Sequence, residues 1–241
     1  MNGENIEGYV AARRFAKELG EEIAGRIKVG MTERDVEKLA GEVFRAHDVN
    51  QHWHMPVIGV GKGTSKLRNS FALGTGLITR YFRKVKENDI VLIDIAPVHN
   101  GYPGDYTTMH VLGKSPEFEK FVSYAQDVAI EIAKKITYDM IIRDAFKMSE
   151  RLIKSRKKYT LAFPPFIFLG HRLTRIPPNW QKLPEPGLMY LLLGKRGSFL
   201  KPGSNNLMDG LWIIEPYLLH DKYGAKFEVL LLIDEKTVIL E

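Results

Sequence analysis

An aspartate inside an apolar strand is the feature that most restricts how this chain can fold. Asp94 interrupts residues 90–96, whose other members are all apolar and are typical of a buried strand. A buried carboxylate without a partner is costly and needs a proton, a cation or a metal beside it. An ordinary surface aspartate is the simpler alternative, but it conflicts with these apolar flanks. The sequence therefore predicts a compensated carboxylate within the core.

A hairpin follows this strand and brings a second aspartate close to the first. Asn100-Gly101 is a strong signal for a two-residue turn. With that turn, Asp94 faces Thr107 and Ala96 faces Asp105, so the two aspartates are diagonal neighbours roughly 7–8 Å apart on one face. Carboxylates placed in this way can span a pair of cations about 3.5–4 Å apart.

Two glutamates repeat this arrangement near the end of the chain. Glu215 follows the apolar residues 211–214, and Glu228 precedes the apolar residues 229–232. A return of this length can place both glutamates on one face, and the register of these strands stays open. His171 follows an apolar run and Gly170, a glycine that allows close backbone approach. A histidine in such a place is usually structural, and only the four carboxylates make it a candidate ligand.

The predicted helices form two pairs, one in each half of the chain. The first pair is a helix over residues 4–28 and a helix that begins at Thr32 with a capping box. The second pair covers residues 115–136 and 140–156. Met31 and Met140 stand 109 positions apart, in turns that each join two helices. The pattern predicts a chain built from two related halves, with the carboxylates on a pseudo-twofold axis between them.

Composition excludes several classes of protein and site. The chain has 241 residues and no cysteine, which excludes disulfides, thiolate ligands and a cysteine nucleophile. No apolar run approaches the roughly 20 residues of a membrane span, and the N-terminus lacks an apolar signal core, so we expect a cytoplasmic protein. The net charge is +6, but no nucleic-acid motif accompanies the basic residues 154–158. A solvated helix end is favoured there, and a nucleic-acid partner is not expected.

Together these segments resemble the pita-bread metallopeptidases, which include methionine aminopeptidases, Xaa-Pro aminopeptidases, prolidases and creatinase. The resemblance lies in residues 29–33, 88–94, 104–107, 170–171, 214–216 and 227–228. Each segment alone is a weak signal, but the ordered set is specific. The resemblance implies an α+β pita-bread fold, a curved antiparallel sheet backed by helices with internal pseudo-twofold symmetry, as a single catalytic domain over residues 1–241.

The resemblance also implies a dinuclear centre of Mn(II), Co(II), Fe(II) or Zn(II). One ion is held mainly by Asp94 and Asp105. The other is held by Asp105, His171, Glu215 and Glu228. A hydroxide bridging the ions attacks a peptide carbonyl near the N-terminus of a short peptide, with Glu215 moving the proton and His171 counted with it as catalytic. The implied enzyme is a metallo-aminopeptidase or an Xaa-Pro dipeptidase.

Two histidines that are usual in the family are missing. Seven positions after His171 the chain has Pro178, and no histidine stands between residues 56 and 98. Other side chains are candidates to replace them in substrate binding, although half-exposed or solvated positions remain the alternative. These candidates are His52, His54, Arg172 and Arg175.

Two classes of function follow. The first is a metal-dependent aminopeptidase or dipeptidase, Xaa-Pro-like, with a creatinase-like hydrolase as a variant. The alternative is a binding protein on the same fold, with a nucleic-acid or protein partner and no peptidase activity. The missing histidines and the basic charge favour the alternative, whereas the complete ligand set favours the enzyme. The native metal, the choice between Xaa-Pro and methionyl substrates, and a homodimer stay open.

Overall fold

The described residues form four α-helices, and two of these begin at start signals that the sequence carries. In the computed structural model of the chain, the structure describes residues 5–65, 83–155, 159–161, 169–175, 186–187 and 199–240. Thr32 and Asp35 form the predicted capping box, and Pro116 is the first residue of its helix. The helices are α1 (Ile6–Arg26), α2 (Glu33–Ala46), α3 (Pro116–Lys135) and α4 (Ile142–Ser155).

The first half of the chain forms one antiparallel sheet. Its central strand, β2, pairs with β1 along one edge and with β4 along the other, and β3 extends the hairpin beyond β4. A short 3-10 helix, Gly61–Ser65, follows β1. The strands are β1 (His52–Val60), β2 (Ile90–His99), β3 (Tyr102–Pro103) and β4 (Tyr106–Val111).

The described residues of the second half form two further antiparallel sheets. One has the order β11-β10-β7-β6, and the other has the order β5-β8-β9. The two late strands that the sequence predicts are each broken in the middle, and the breaks fall at Glu215 and Glu228. The strands are β5 (Thr160–Leu161), β6 (Gly170–Arg172), β7 (Gly210–Ile214), β8 (Tyr217–His220), β9 (Tyr223–Lys226), β10 (Val229–Ile233) and β11 (Thr237–Leu240).

Matching hydrogen bonds show that the two halves are related. The N–H of Val85 donates to the carbonyl of Met31 at 2.8 Å, and the N–H of Met208 donates to the carbonyl of Met140 at 3.0 Å. The helices that follow these turns, α2 and α4, each have 14 residues and begin 109 positions apart. The predicted internal repeat is therefore confirmed.

The predicted hairpin register is also confirmed. Asp94 pairs with Thr107, as the turn position requires. Asn100 and Gly101 have φ angles of 50° and 79°, the left-handed values that a two-residue hairpin turn demands at both central positions. A local turn signal was sufficient here because the register of a hairpin follows from the length and type of its loop.

Alternation along β2 places the candidate site. Ile93 and Ile95 are buried in the apolar cluster that α1 and α2 form with the first sheet. Asp94 lies between them in sequence and so points to the opposite face, away from these helices. Leu92, on that same face, packs with Tyr217 of the second half. The face that carries Asp94 is thus the one turned toward the C-terminal strands.

Some sequence predictions fall partly or wholly outside the described residues. Lys154, at the end of α4, forms an exposed ion pair with Glu150 at 2.9 Å, as a solvated helix end would, but residues 156–158 lie outside. So do residues 162–168, which include the first three residues of the apolar run before His171, and Pro178. No helix in the described part of the chain is long and apolar enough to cross a membrane.

Candidate metal centre

The structure brings all five predicted ligands into one buried cluster. Asp94 comes from β2, Asp105 from the loop before β4, His171 from β6, and Glu215 and Glu228 from the two strand breaks of the second half. None of the five is more than 8% exposed. Four carboxylates buried together demand compensating positive charge, so the neighbours of these groups decide what the site can do.

Asp105 joins two imidazoles. Its Oδ1 lies 3.3 Å from Nε2 of His54, and its Oδ2 lies 3.0 Å from Nε2 of His171. His54 Nε2 is also 3.4 Å from Oδ1 of Asp94. His171 Nε2 is 3.5 Å from Oε1 of Glu215. His54, which the sequence suggested only for substrate binding, is therefore a direct neighbour of the two aspartates.

A β-bulge explains why His54 reaches the centre and His52 does not. His52 pairs with Pro97 and His54 pairs with Ala96, so two steps along β1 match one step along β2. Such an extra residue re-aims the side chains that follow it. The His52 ring packs on Phe44 with centroids 4.9 Å apart, and its burial lowers its pKa. The structure gives His52 a packing contact, and its predicted role in substrate binding stays a prediction.

The ammonium group of a lysine lies between three of the four carboxylates. Lys226 Nζ lies 2.7 Å from Asp94 Oδ2, 2.7 Å from Glu215 Oε2 and 2.8 Å from Glu228 Oε1. Burial by itself would lower the pKa of Lys226, but the surrounding carboxylates, Asp94 foremost, raise it well above its ordinary value. The ammonium ion is therefore a fixed part of the centre. Sequence reasoning gave Lys226 no role, although it stands two residues before Glu228.

Arg13 holds the backbone beneath two of the ligands. This buried residue of α1 donates to the carbonyl oxygens of Asp105 and Glu228 at 2.6 and 2.5 Å. Thr107 donates its hydroxyl to Oε1 of Glu228 at 2.6 Å. Sequence reasoning missed Arg13 as well. Its signal was a charged residue on the buried stripe of α1, one turn after Tyr9.

The charged groups of the centre shift one another's pKa values. Burial by itself would raise the pKa of Asp94 and Asp105. Lys226 and His54 nevertheless hold the pKa of Asp94 below its usual value, and hydrogen bonds from His171 and His54 do so for Asp105. Burial, followed by the nearby Asp105, raises the pKa of Glu228 to about 7. The aspartates are thus the firmly anionic members of the cluster.

One part of the centre fits a divalent metal ion. His54, Asp94 and Asp105 each offer a ligand atom, and the three atoms lie within 4.8 Å of one another. Asp94 Oδ1 is buried and accepts no hydrogen bond from the described residues, so a cation would satisfy it. One imidazole nitrogen and two carboxylate oxygens suit Mn(II), Fe(II), Co(II) or Zn(II).

The two arginines after His171 contact the protein's own main chain. Arg172 donates to the carbonyl of Asp209 at 2.7 and 3.1 Å. Arg175 donates to the carbonyl of Gly101 at 3.1 Å, and its guanidinium lies 4.6 Å from the centre of the Tyr102 ring. These contacts stabilise strand and hairpin backbone beside the centre. Substrate binding by either arginine stays a prediction.

His171 is held between a glycine and a tryptophan. Its ring stacks on Trp53, with centroids 4.8 Å apart and planes 16° apart. Gly170 precedes it in β6, and a Cβ there would collide with the carbonyl oxygen of Ile213 in β7. The close backbone approach that the sequence predicted at Gly170 is therefore confirmed.

Replacing Gly170 with Ala is expected to destabilise the protein and displace His171. The new methyl group meets backbone rather than a flexible side chain, and overpacking of this kind costs about 1–3 kcal/mol of unfolding free energy. Gly25→Ala is the matched control, because Gly25 lies in the last turn of α1 with nothing within 4 Å of an added Cβ, and alanine there should be neutral or stabilising. Chemical denaturation measures both, and equal stability of the two variants would contradict this packing.

Comparison with known proteins now identifies the family. A family model described as metallopeptidase family M24 matches residues 7–235. The chain belongs to metallopeptidase family M24. No curated protein sequence matches this M24 chain.

Solved structures similar to this M24 chain share its fold. The X-Pro aminopeptidase of Thermotoga maritima has a TM-score of 0.71 at 17% identity, over 98% of this chain and 60% of that one. The prolidase of Pyrococcus furiosus has a TM-score of 0.72 at 16% identity, over 99% of this chain and 64% of that one. The methionine aminopeptidase of Thermotoga maritima has a TM-score of 0.69 at 19% identity, over 100% of this chain and 97% of that one. This M24 chain thus spans less than two thirds of the first two structures.

Membership of M24 confirms the family resemblance and the pita-bread fold that the sequence predicts. It also supports a hydrolase of the metallopeptidase class. M24 enzymes use divalent metals, and the His54, Asp94 and Asp105 cluster of this chain could bind one. The five residues predicted as ligands lie together as the resemblance requires, and His54 joins them.

Proposed function

We propose that this M24 chain is a metal-dependent aminopeptidase or dipeptidase, Xaa-Pro-like, that hydrolyses a peptide bond near the N-terminus of a short peptide. One observation carries the proposal, namely the buried cluster of His54, Asp94 and Asp105 with an unsatisfied carboxylate oxygen inside an M24 fold. A divalent ion bound there supplies Lewis acidity and lowers the pKa of water toward neutrality.

The residues around the cluster can position water and move its proton. Glu215 accepts from Lys226 through Oε2, which directs its Oε1 toward His171 at 3.5 Å. Glu215 Oε1 is our proposed proton acceptor from the attacking water. His171 is fixed by its contact with Asp105 and by its stacking on Trp53, so that it can orient the groups at the reacting carbonyl.

The names of the similar structures support the preference for Xaa-Pro substrates. Two of the three are an X-Pro aminopeptidase and a prolidase, and the methionine aminopeptidase is the competing preference. We propose a short peptide as the partner, with Arg172 and Arg175 as candidates to bind its terminal carboxylate. The two ions that the sequence predicts stay a prediction.

The alternative of a binding protein without peptidase activity is not favoured. Its main support was the absence of two family histidines, but His54 now stands beside Asp94 and Asp105. Arg13 and Thr107 also hold the ligand backbone and Glu228 with buried hydrogen bonds. These contacts support the enzyme as the preferred proposal.

Hydrolysis of a small peptide panel tests the proposal. We expect metal-loaded protein to cleave Xaa-Pro dipeptides in the presence of Mn(II) or Co(II), and to cleave Met-Ala-Xaa peptides more slowly. Glu215→Gln keeps the size of the side chain but removes the proton acceptor, and should lower kcat by about 100- to 10,000-fold. Folded, metal-loaded wild-type protein that cleaves no peptide of the panel would refute the proposal.

A further inference from the structure

A buried hydroxyl without a partner lies beside the metal centre. Tyr217 is the first residue of β8, two positions after Glu215, and is only 5% exposed. Its hydroxyl oxygen is buried and has no hydrogen-bond partner among the described residues. A buried polar group that is left unpaired destabilises the folded chain, so each such group in a structure calls for an explanation.

Strand pairing places Tyr217 at the edge of the centre. Tyr217 pairs directly with Lys226 of β9, so the two side chains leave the same face of that hairpin. Lys226 in turn contacts three carboxylates of the centre. Tyr217 also packs with Leu92, which stands two positions before Asp94 on the same face of β2. Lys226 and Asp94 are both close enough to interact electrostatically with the hydroxyl of Tyr217.

A glycine leaves the space that this hydroxyl occupies. Gly224 stands two positions before Lys226 in β9 and so lies on the same face. A Cβ on Gly224 would lie 2.5 Å from the hydroxyl oxygen of Tyr217, which is too close for a nonbonded contact. A phenylalanine ring would make the same apolar contacts as Tyr217 without burying an O–H group. Packing alone therefore gives no reason for the hydroxyl.

Two other donors beside the carboxylates are already engaged. An ammonium group has three N–H donors, and those of Lys226 are matched by three carboxylate oxygens at 2.7–2.8 Å. Thr107 donates its hydroxyl to Glu228 at 2.6 Å. A phenol is a neutral O–H donor at pH 7, and the O–H of Tyr217 is not used by any described residue. It is thus available to a bound molecule.

The chemistry of the proposed reaction supplies an acceptor for this donor. When water attacks a peptide carbonyl, negative charge develops on the carbonyl oxygen, and a donor already in place stabilises that charge. We propose that the Tyr217 hydroxyl donates a hydrogen bond to the carbonyl oxygen of the peptide under attack. The hydroxyl is then unpaired in the free protein and paired in the reacting complex. This inference rests on the proposed function, because it requires a peptide at the metal centre.

Tyr217→Phe is expected to affect turnover and stability in opposite directions. Loss of a donor that acts on the developing charge should lower kcat for an Xaa-Pro dipeptide by about 100- to 1,000-fold, with the same ion content. A phosphinic analogue of the dipeptide, which has tetrahedral geometry, should bind more weakly by the factor lost in kcat/KM. The denaturation midpoint without substrate should stay equal or rise, because the variant no longer buries an unpaired group.

Tyr223→Phe is the matched control for this substitution. Tyr223 belongs to the same hairpin but packs on Phe118 of α3, with ring centroids 4.7 Å apart, and its variant should keep wild-type kcat. Wild-type kcat in Tyr217→Phe would overturn the inference and leave the proposed function standing. A lower denaturation midpoint or a loss of bound ion in Tyr217→Phe would also overturn it, because the hydroxyl would then serve the fold or the metal. A wild type that cleaves no peptide would refute the proposed function and this inference with it.

Discussion

Replacing Asp105 with Asn is expected to abolish metal binding and peptide hydrolysis together. Asp105 contacts both imidazoles of the centre, through Oδ1 to His54 at 3.3 Å and through Oδ2 to His171 at 3.0 Å. The amide removes the negative charge and directs an N–H group at one of the rings. Loss of a group that merely supports a ligand costs about 10- to 100-fold in metal affinity or activity, so loss of this ligand should cost more than about 100-fold.

Asp127→Asn is the matched control for this change. Asp127 is exposed on α3, a helix that supplies none of the five predicted ligands, and the same substitution there should leave ion content and turnover unaltered. Ion content by mass spectrometry, ion affinity by calorimetry and turnover on an Xaa-Pro dipeptide measure both variants. Full ion occupancy in Asp105→Asn with wild-type turnover would remove Asp105 from the ligand set.

Replacing Arg13 with Met is expected to produce the largest loss of stability. The change leaves the carbonyl oxygens of Asp105 and Glu228 without their buried donor, and takes a positive charge away from the Glu228 carboxylate 3.8 Å away. Removing one partner of a buried charged pair typically costs about 3–5 kcal/mol. A chain of this size loses about 2–4 °C in Tm per kcal/mol, so we expect a Tm lower by about 6–20 °C.

The neighbouring arginine controls for the substitution itself. Arg14 is exposed on the same helix, and Arg14→Met should change the unfolding free energy by no more than about 0.5 kcal/mol. Both variants are best unfolded without metal, because a bound ion adds its own binding free energy to the apparent stability. Equal unfolding free energies for the two variants would show that the buried hydrogen bonds of Arg13 contribute nothing to stability.

Features with a local physical cause could be predicted from the sequence. The hairpin register follows from Asn100-Gly101, because only residues that accept positive φ suit both turn positions. The start of α2 follows from Thr32, because its side chain caps the helix within three residues. Resemblance in ordered segments supplied the rest of the ligand set, including His171, which no local signal distinguishes from a structural histidine.

Contacts between distant parts of the chain could not be predicted in this way. Periodicity tells which face of a strand or helix a side chain occupies, but not which groups lie opposite it. Lys226 meets Asp94 across 132 positions, and Arg13 meets Glu228 across 215. The bulge that sends His54 rather than His52 into the centre is likewise a property of strand pairing.

The sequence by itself therefore determined the family, the fold class and five residues of the centre, since these depend on local propensity and on the order of motifs. Only the tertiary structure decided that His54 stands with Asp94 and Asp105, and that Lys226 lies among the carboxylates. The reason is that a buried charge is compensated by groups that lie close to it in space, and these groups can be far from it in sequence. Asp94, the charged residue inside an apolar strand, is thus partnered by a lysine as well as by a candidate metal position.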